Sequence, residues 1–131
     1  MRRIMIGTYA LSAGYYDAYY KKSLKARTII INDYRKAFEK CDMMIGPVTP
    51  TPAPKFGELI SDPIQLMLSD VYTLTQNIVG IPSLALPCGF SGEGLPIGMQ
   101  IMGKMFDETT ILQAGYEYQQ VTNWHTESPQ L

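Results

Sequence analysis

Two short apolar segments, joined by a polar link, dominate the pattern of hydrophobic and polar positions along the chain. They run from residue 81 to 90 and from 94 to 103, and each is bounded by Gly and Pro with almost no charge inside. Such runs are typical of strands that are buried on both faces, deep in the sheet of a larger α/β protein. Because such strands need covering helices and neighbouring strands, the pattern predicts that these 131 residues are part of something bigger.

The segments before and after these strands show helical periodicity. A short helix is predicted within residues 2–13, and one long helix over 15–40, where neither Gly nor Pro occurs. A further helix is expected over 62–80, capped by Asp62 and broken near residues 69–70. A last helix opens at Asp107, and its predicted inward positions are Ile111, Leu112, Tyr116, Tyr118 or Gln119, and Val121.

The segment before the third predicted helix contains a short apolar run, residues 43–46, followed by residues 47–54. Four of those eight residues are proline, which forbids regular structure and favours an extended loop. The predicted order is therefore helix, strand, helix, strand, strand, helix. This order indicates a mixed α/β fold that is incomplete as a stand-alone domain, with residues 1–131 as a single partial domain.

Composition narrows the range of partners. The formal net charge of −1 excludes strong electrostatic affinity for nucleic acid or for an anionic membrane through this segment alone. No apolar run approaches the roughly 18 residues that a membrane span requires, and the N-terminus does not resemble a signal peptide. Cys41 and Cys88 lie far apart in sequence, and without a disulfide framework they suit a reducing cytosol. Both are expected to be small buried hydrophobic residues rather than reactive ones.

Few side chains are candidates for catalysis. Residues 89–93 come close to the nucleophile-elbow pattern around Ser91, but the last position is Glu and the turn joins two strands. A local hydrogen-bonding role for Ser91 is therefore favoured. His125, the one histidine, has no evident partner and is expected to be exposed, so no metal site is predicted.

Two ionisable residues close to apolar segments form the candidate binding site. A guanidinium such as that of Arg3 can bind a carboxylate with two hydrogen bonds, and the carboxylate of Asp70 can bind an ammonium group. Together they would form a clamp for a free α-amino acid. The residues alone favour a plainer interpretation, with Arg3 on the surface and Asp70 as a helix cap.

Three segments, residues 2–20, 47–53 and 94–103, closely resemble the C-terminal part of amidase-signature enzymes. The pattern Gly-Leu-Pro-x-Gly-x-Gln at 94–100 is shared widely in that family. Residues 2–20 resemble more narrowly the glutaminase (A) subunits of tRNA-dependent amidotransferases, and the likeness extends along nearly the whole chain. The resemblance implies an α/β fold with a mixed sheet covered by helices, of which this chain would be the C-terminal portion.

The resemblance also implies a reaction and its components. In these enzymes the glutaminase subunit releases ammonia from glutamine, and companion subunits B and C use it with ATP to amidate a mischarged tRNA in the cytoplasm. The family's catalytic Lys and two Ser precede the region that this chain covers, so the chain alone is predicted to be inactive. No cofactor is expected in this chain; ATP and magnesium are expected on the partner subunit.

Residue by residue, the resemblance assigns Arg3 to the α-carboxylate of glutamine and Asp70 to its α-amino group, which reverses the plainer interpretation above. Thr75-Gln76 departs from relatives, which often carry proline there. Four tyrosines of residues 15–20 could serve a partner interface, although packing is favoured. Two alternatives stay open, namely a part of another amidase that acts on small amides, and a non-catalytic interaction protein.

Overall fold

Residues 2–12, 15–57 and 63–128 are described by the structure, a computed structural model. Its helices are α1 (Arg2–Ala10), α2 (Lys21–Phe38), α3 (Pro63–Leu68), α4 (Val71–Val79) and α5 (Glu108–Gln120). Its strands are β1 (Met43–Pro47), β2 (Ser83–Phe90) and β3 (Pro96–Gly103). This order confirms the predicted sequence of elements and the α/β class. The suggested cap, Asp62, lies outside the described residues.

The described strands form one antiparallel sheet in the order β1-β3-β2. Consecutive residues from Gln100 to Gly103 are all buried, so the second half of β3 is covered on both faces, as predicted. For β2 that prediction is wrong, because it is an edge of the described sheet, and apart from the buried Leu86 its residues are exposed or half-buried. The mixed sheet implied by the resemblance remains a prediction.

One face of the sheet is covered by α5. Ile111 is 3% exposed and packs with Leu86 and Ile101, joined at the edge of this cluster by Ala114 and Tyr118. Three of the positions predicted to face inward are instead 57, 62 and 80% exposed, namely Leu112, Tyr116 and Val121. The covered stripe of α5 is narrow because it lies against a single sheet face, and these three side chains point away from that face.

The opposite face of β3 meets α4, and α4 in turn meets α2. The Arg27 Nε donates a hydrogen bond of 2.7 Å to the carbonyl of Ile78, which ties α2 to the end of α4. The single helix predicted over 15–40 begins instead as a π-helical segment, Tyr16–Tyr20, before α2. The predicted break at residues 69–70 is confirmed, because it separates α3 from α4.

Many large apolar side chains of the described chain are exposed, among them Ile4, Met5 and Ile6 of α1 at 74, 66 and 66%. Such surfaces are typical of elements that pack against further protein. None of the described helices combines the length and apolarity needed to cross a membrane. The description of residues 1–131 as a single partial domain remains a prediction.

Candidate functional site

Asp70 lies at the junction of α3 and α4, in the N-cap position of α4. Its backbone carbonyl accepts hydrogen bonds from the amides of Thr73 and Leu74, both at 3.1 Å, and from Thr73 Oγ1 at 3.2 Å. The side chain is half-buried and makes no capping hydrogen bond to α4, so the cap interpretation is wrong. The backbone of Asp70 is therefore fixed by the first turn of α4.

The backbone of Arg3 is part of α1, whereas its side chain is outside the part of the chain that the structure describes. The pairing of Arg3 with Asp70 therefore remains a prediction. The following segment is tied to α1 by aromatic contacts, since the rings of Tyr9 and Tyr15 lie 4.4 Å apart between centroids. A side-chain hydrogen bond with Tyr15, aided by partial desolvation, raises the pKa of Tyr9 because the bond favours the protonated hydroxyl.

A cleft of about 520 Å³ reaches Ser69, the residue that precedes Asp70 in the chain. One wall is the proline-rich loop, residues 49–54, and the other is formed by Leu68 and Ser69 at the end of α3. The loop is irregular, as predicted, and Thr49 Oγ1 donates to the carbonyl of Thr51 at 2.8 Å. This volume falls within the range of small-molecule sites, and proline makes the loop a stiff wall.

The central strand holds a buried side-chain amide, that of Gln100 of β3, which is 4% exposed. Its Nε2 donates to the carbonyl of Pro47 and to that of Tyr72, both at 2.9 Å. Pro47 directly precedes the proline-rich loop, and Tyr72 lies in the first turn of α4. One amide therefore connects the loop, the central strand and the helix that begins after Asp70.

A second buried amide, Gln76 of α4, supports the first and is 5% exposed. Its Nε2 donates to Gln100 Oε1 at 2.6 Å and also lies 2.9 Å from the carbonyl of Tyr72. The network continues to α2, because Tyr34 Oη donates at 2.7 Å to Thr75 Oγ1, which lies 3.4 Å from Gln76 Oε1. Among the described residues, no buried side-chain nitrogen or oxygen is left without a hydrogen-bond partner.

The reasoning from sequence missed this pair. Gln100 entered only as the end of a shared pattern, and Gln76 only as a departure from relatives. The available signal was an uncharged amide within an otherwise apolar strand or helix, which requires hydrogen-bond partners when it is buried.

The other candidate residues play local roles. Ser91 Oγ accepts hydrogen bonds from the amides of Glu93 at 3.3 Å and Leu95 at 3.2 Å, which confirms its predicted role in the turn. His125 is exposed, as predicted. Cys41 and Cys88 are half-buried rather than fully buried. In residues 2–12, 15–57 and 63–128, no group of three or more His, Cys, Asp or Glu side chains could hold a metal ion.

The fold agrees with the family that the sequence resembles. Residues 1–112 match the family model described as Amidase. Because that match covers most of the chain, the chain belongs to the amidase family.

Particular relatives share much of its sequence. The chain is 58% identical over 130 residues to the A subunit of glutamyl-tRNA(Gln) amidotransferase from Thermodesulfovibrio yellowstonii. The aligned region covers 99% of this chain and 27% of that relative. Its counterpart from Desulfatibacillum aliphaticivorans is 57% identical over the same length, with the same coverage. The chain therefore spans about a quarter of the length of these relatives.

Solved structures give the same fold. The crystal structure of the corresponding subunit from Thermotoga maritima matches with a TM-score of 0.72 and 39% identity, covering 86% of this chain and 24% of that one. A 6-aminohexanoate cyclic dimer hydrolase matches with a TM-score of 0.72 at 24% identity, covering 91% and 26%, and this shows the fold alone.

Proposed function

We propose that this chain is the substrate-clamping, C-terminal part of the glutaminase subunit of a tRNA-dependent amidotransferase. The observation that carries the proposal is the 58% identity over 130 residues to the glutamyl-tRNA(Gln) amidotransferase of T. yellowstonii, in its A subunit. The whole enzyme would release ammonia from glutamine, and the ammonia would amidate Glu-tRNA(Gln) or Asp-tRNA(Asn). We place this activity in the cytoplasm, with subunits B and C as partners and ATP and magnesium bound by a partner subunit.

Within that enzyme, we assign two contacts to this chain. The Arg3 guanidinium would bind the α-carboxylate of glutamine with two parallel hydrogen bonds, and the Asp70 carboxylate would hold the α-ammonium group. This assignment is supported by the cleft of about 520 Å³ lined by Ser69, the residue before Asp70, and by the fixed backbone of the α3–α4 junction. Acyl transfer also needs an activated nucleophile and an oxyanion hole. We assign these to the catalytic Lys and Ser residues of the whole enzyme, outside this chain.

Amidases of small amides are the second candidate. Such substrates lack the amino-acid head group and would have no use for the clamp. Higher identity to the glutaminase subunits, 58 and 57% against 24% for the cyclic dimer hydrolase, favours the first candidate.

The test is direct binding of L-glutamine to the chain, compared with butyramide, which lacks both charged groups. Arg3→Gln and Asp70→Asn each remove one charge, and Glu117→Gln on the exposed side of α5 is the matched control. Because a hydrogen bond to a charged group contributes about 1.5–3 kcal/mol, each clamp variant should weaken glutamine binding roughly 10- to 100-fold. The control should bind as the unchanged chain does.

Activity is measured on a hybrid protein. In it, this chain replaces the aligned 130 residues of the T. yellowstonii protein. The hybrid should release ammonia from glutamine, whereas the 131-residue chain alone should release none. Equal affinity for butyramide and glutamine would contradict the proposal, as would turnover that persists when both Arg3 and Asp70 are replaced by Ala.

A further inference from the structure

We infer that Gln76 and Gln100 are positioning residues, whose side-chain amides hold the end of β1, where the proline-rich loop begins, and the first turn of α4 in one geometry. Through that geometry they place Asp70 for its substrate. The second statement rests on the proposed function, whereas the first stands on the hydrogen bonds alone.

The amide of Gln100 reaches two separate elements. Its two N–H groups have acceptors on different sides, the carbonyl of Pro47 at the end of β1 and the carbonyl of Tyr72 in α4, both at 2.9 Å. Both bonds run from a side chain that is 4% exposed, so water cannot readily replace them. Displacement of the end of β1 or of α4 relative to β3 would therefore leave a buried polar group without a partner.

Both amides converge on the carbonyl of Tyr72. Gln76 Nε2 and Gln100 Nε2 each lie 2.9 Å from it, and 2.6 Å separates Gln76 Nε2 from Gln100 Oε1. Tyr72 is two residues from Asp70, whose own carbonyl is bound by the same helical turn. A rotation of α4 about its axis would break the two contacts with Gln100 of β3, whereas the contact of Gln76 with Tyr72 lies within the helix. The contacts with Gln100 therefore fix the orientation in which the helix presents Asp70.

Burial of apolar surface does not explain this arrangement. Two apolar side chains of similar length would fill the space between α4 and β3 without the cost of desolvating two amides. Fully satisfied buried polar networks instead select one geometry, because alternatives leave groups unpaired. Here the geometry that is selected is that of the end of β1, where the proline-rich loop begins, and of α4, which follows Asp70.

Hydrogen exchange of the full chain tests the inference with three variants. Gln100→Glu keeps the length of the side chain and an acceptor for Gln76 but removes both donors. Gln76→Met removes the second amide at similar length. The control is Gln113→Glu, which makes the same change from amide to carboxylate as Gln100→Glu but at an exposed position of α5. Glutamine affinity is measured on the same samples.

The expected result is local. Near neutral pH, Gln100→Glu should accelerate exchange of the amides of Val48, Thr73 and Leu74 by at least about tenfold. Amides of α5 around Ile111 should exchange as in the unchanged chain, and the control should change none of them. Lowering the pH protonates the introduced carboxyl, which regains one donor, so exchange should return towards that of the unchanged chain at the same pH. A merely space-filling role predicts no such recovery.

Unchanged exchange at the three amides would overturn the inference. Acceleration of equal size in α5, in both Gln100→Glu and Gln76→Met, would also overturn it, because the pair would then be a general element of stability. If the unchanged chain binds glutamine, both variants should bind it at least about tenfold more weakly. If exchange changes as expected while the unchanged chain binds no glutamine, the holding role is supported and the proposed function fails.

Discussion

Replacement of Gly103 by Ala should destabilise the chain, because α5 packs directly over this position. A Cβ on the buried Gly103 would lie 2.7 Å from Ile111 Cγ2 and 3.2 Å from the carbonyl oxygen of Asp107. Carbon atoms in favourable contact are about 3.5–4.0 Å apart, so α5 would have to move by roughly 1 Å. Ile111 cannot easily turn aside, since it is 3% exposed and β-branched side chains keep one rotamer in a helix.

The net effect is the difference of two contributions. Overpacking a core typically costs about 1–3 kcal/mol, whereas Ala in place of Gly in a strand recovers about 0.5–1 kcal/mol of conformational entropy. We therefore expect a loss of about 1–2 kcal/mol in the free energy of unfolding. With a urea dependence of about 2 kcal/mol per molar, the unfolding midpoint should fall by about 0.5–1 M. Fluorescence of Trp124, the one tryptophan, reports the transition, since its ring centroid lies 5.9 Å from that of Phe90 in β2.

Two further variants identify the cause. Gly46→Ala in β1 is the control, because a Cβ there would meet nothing within 4 Å, and its midpoint should stay the same or rise slightly. Ile111→Leu, combined with Gly103→Ala, removes the Cγ2 branch and should recover part of the lost stability. An unchanged midpoint for Gly103→Ala would refute the reasoning, as would a double variant that is less stable than the sum of the single changes predicts.

Two other outcomes are expected at the surface. Tyr15→Phe removes the hydrogen bond that raises the pKa of Tyr9, so absorbance titration should show Tyr9 ionising closer to its ordinary value of 10.0, and an unchanged titration would argue against that bond. Because the folded-state pKa of Tyr9 is the higher one, its contribution to stability is complete below the ordinary value and is lost as the pH rises through the folded-state value. The exposed apolar side chains predict self-association of the 131-residue chain in sedimentation, which replacement of Ile4 and Ile6 by Gln should reduce. A monodisperse monomer with a sharp, reversible thermal transition would contradict this last prediction.

The strands and the proline-rich loop were predictable because local sequence determines them. Gly and Pro bound both apolar runs, and β2 and β3 fall inside the ranges that those boundaries indicate. The three prolines that follow β1, Pro50, Pro52 and Pro54, leave the chain no regular alternative, although the fourth, Pro47, ends the strand itself. The break between α3 and α4 was likewise visible at Ser69-Asp70, where the apolar repeat is interrupted.

The covered face of α5 was not predictable, because two apolar stripes compete on that helix. Leu112 and Tyr116 form one stripe, and Ile111 with Gly115 forms the other. The second is buried because Gly115 lacks a side chain and lets Leu84 and Leu86 approach; a Cβ on Gly115 would lie 2.5 Å from Leu84 Cδ2. Because Gly115 adds no side chain to the apolar pattern, the pattern alone does not distinguish the two stripes. The role of Gln100 was hidden for a related reason, since its acceptors Pro47 and Tyr72 lie 53 and 28 residues away along the chain.

The pattern Gly-Leu-Pro-x-Gly-x-Gln acquires a geometric explanation from these contacts. Gly94 adopts a φ of +78°, which side chains rarely tolerate, and so lets the hairpin return the chain into β3 at Pro96. Gly98 receives a hydrogen bond from the amide of Val48 at 3.2 Å, and a Cβ there would lie 3.2 Å from Val48 Cγ2. Two residues further along the same face of β3, Gln100 binds the carbonyl that precedes Val48. The last two members of the pattern thus hold the start of the proline-rich loop against the central strand, which is a requirement of the cleft wall rather than of any particular substrate.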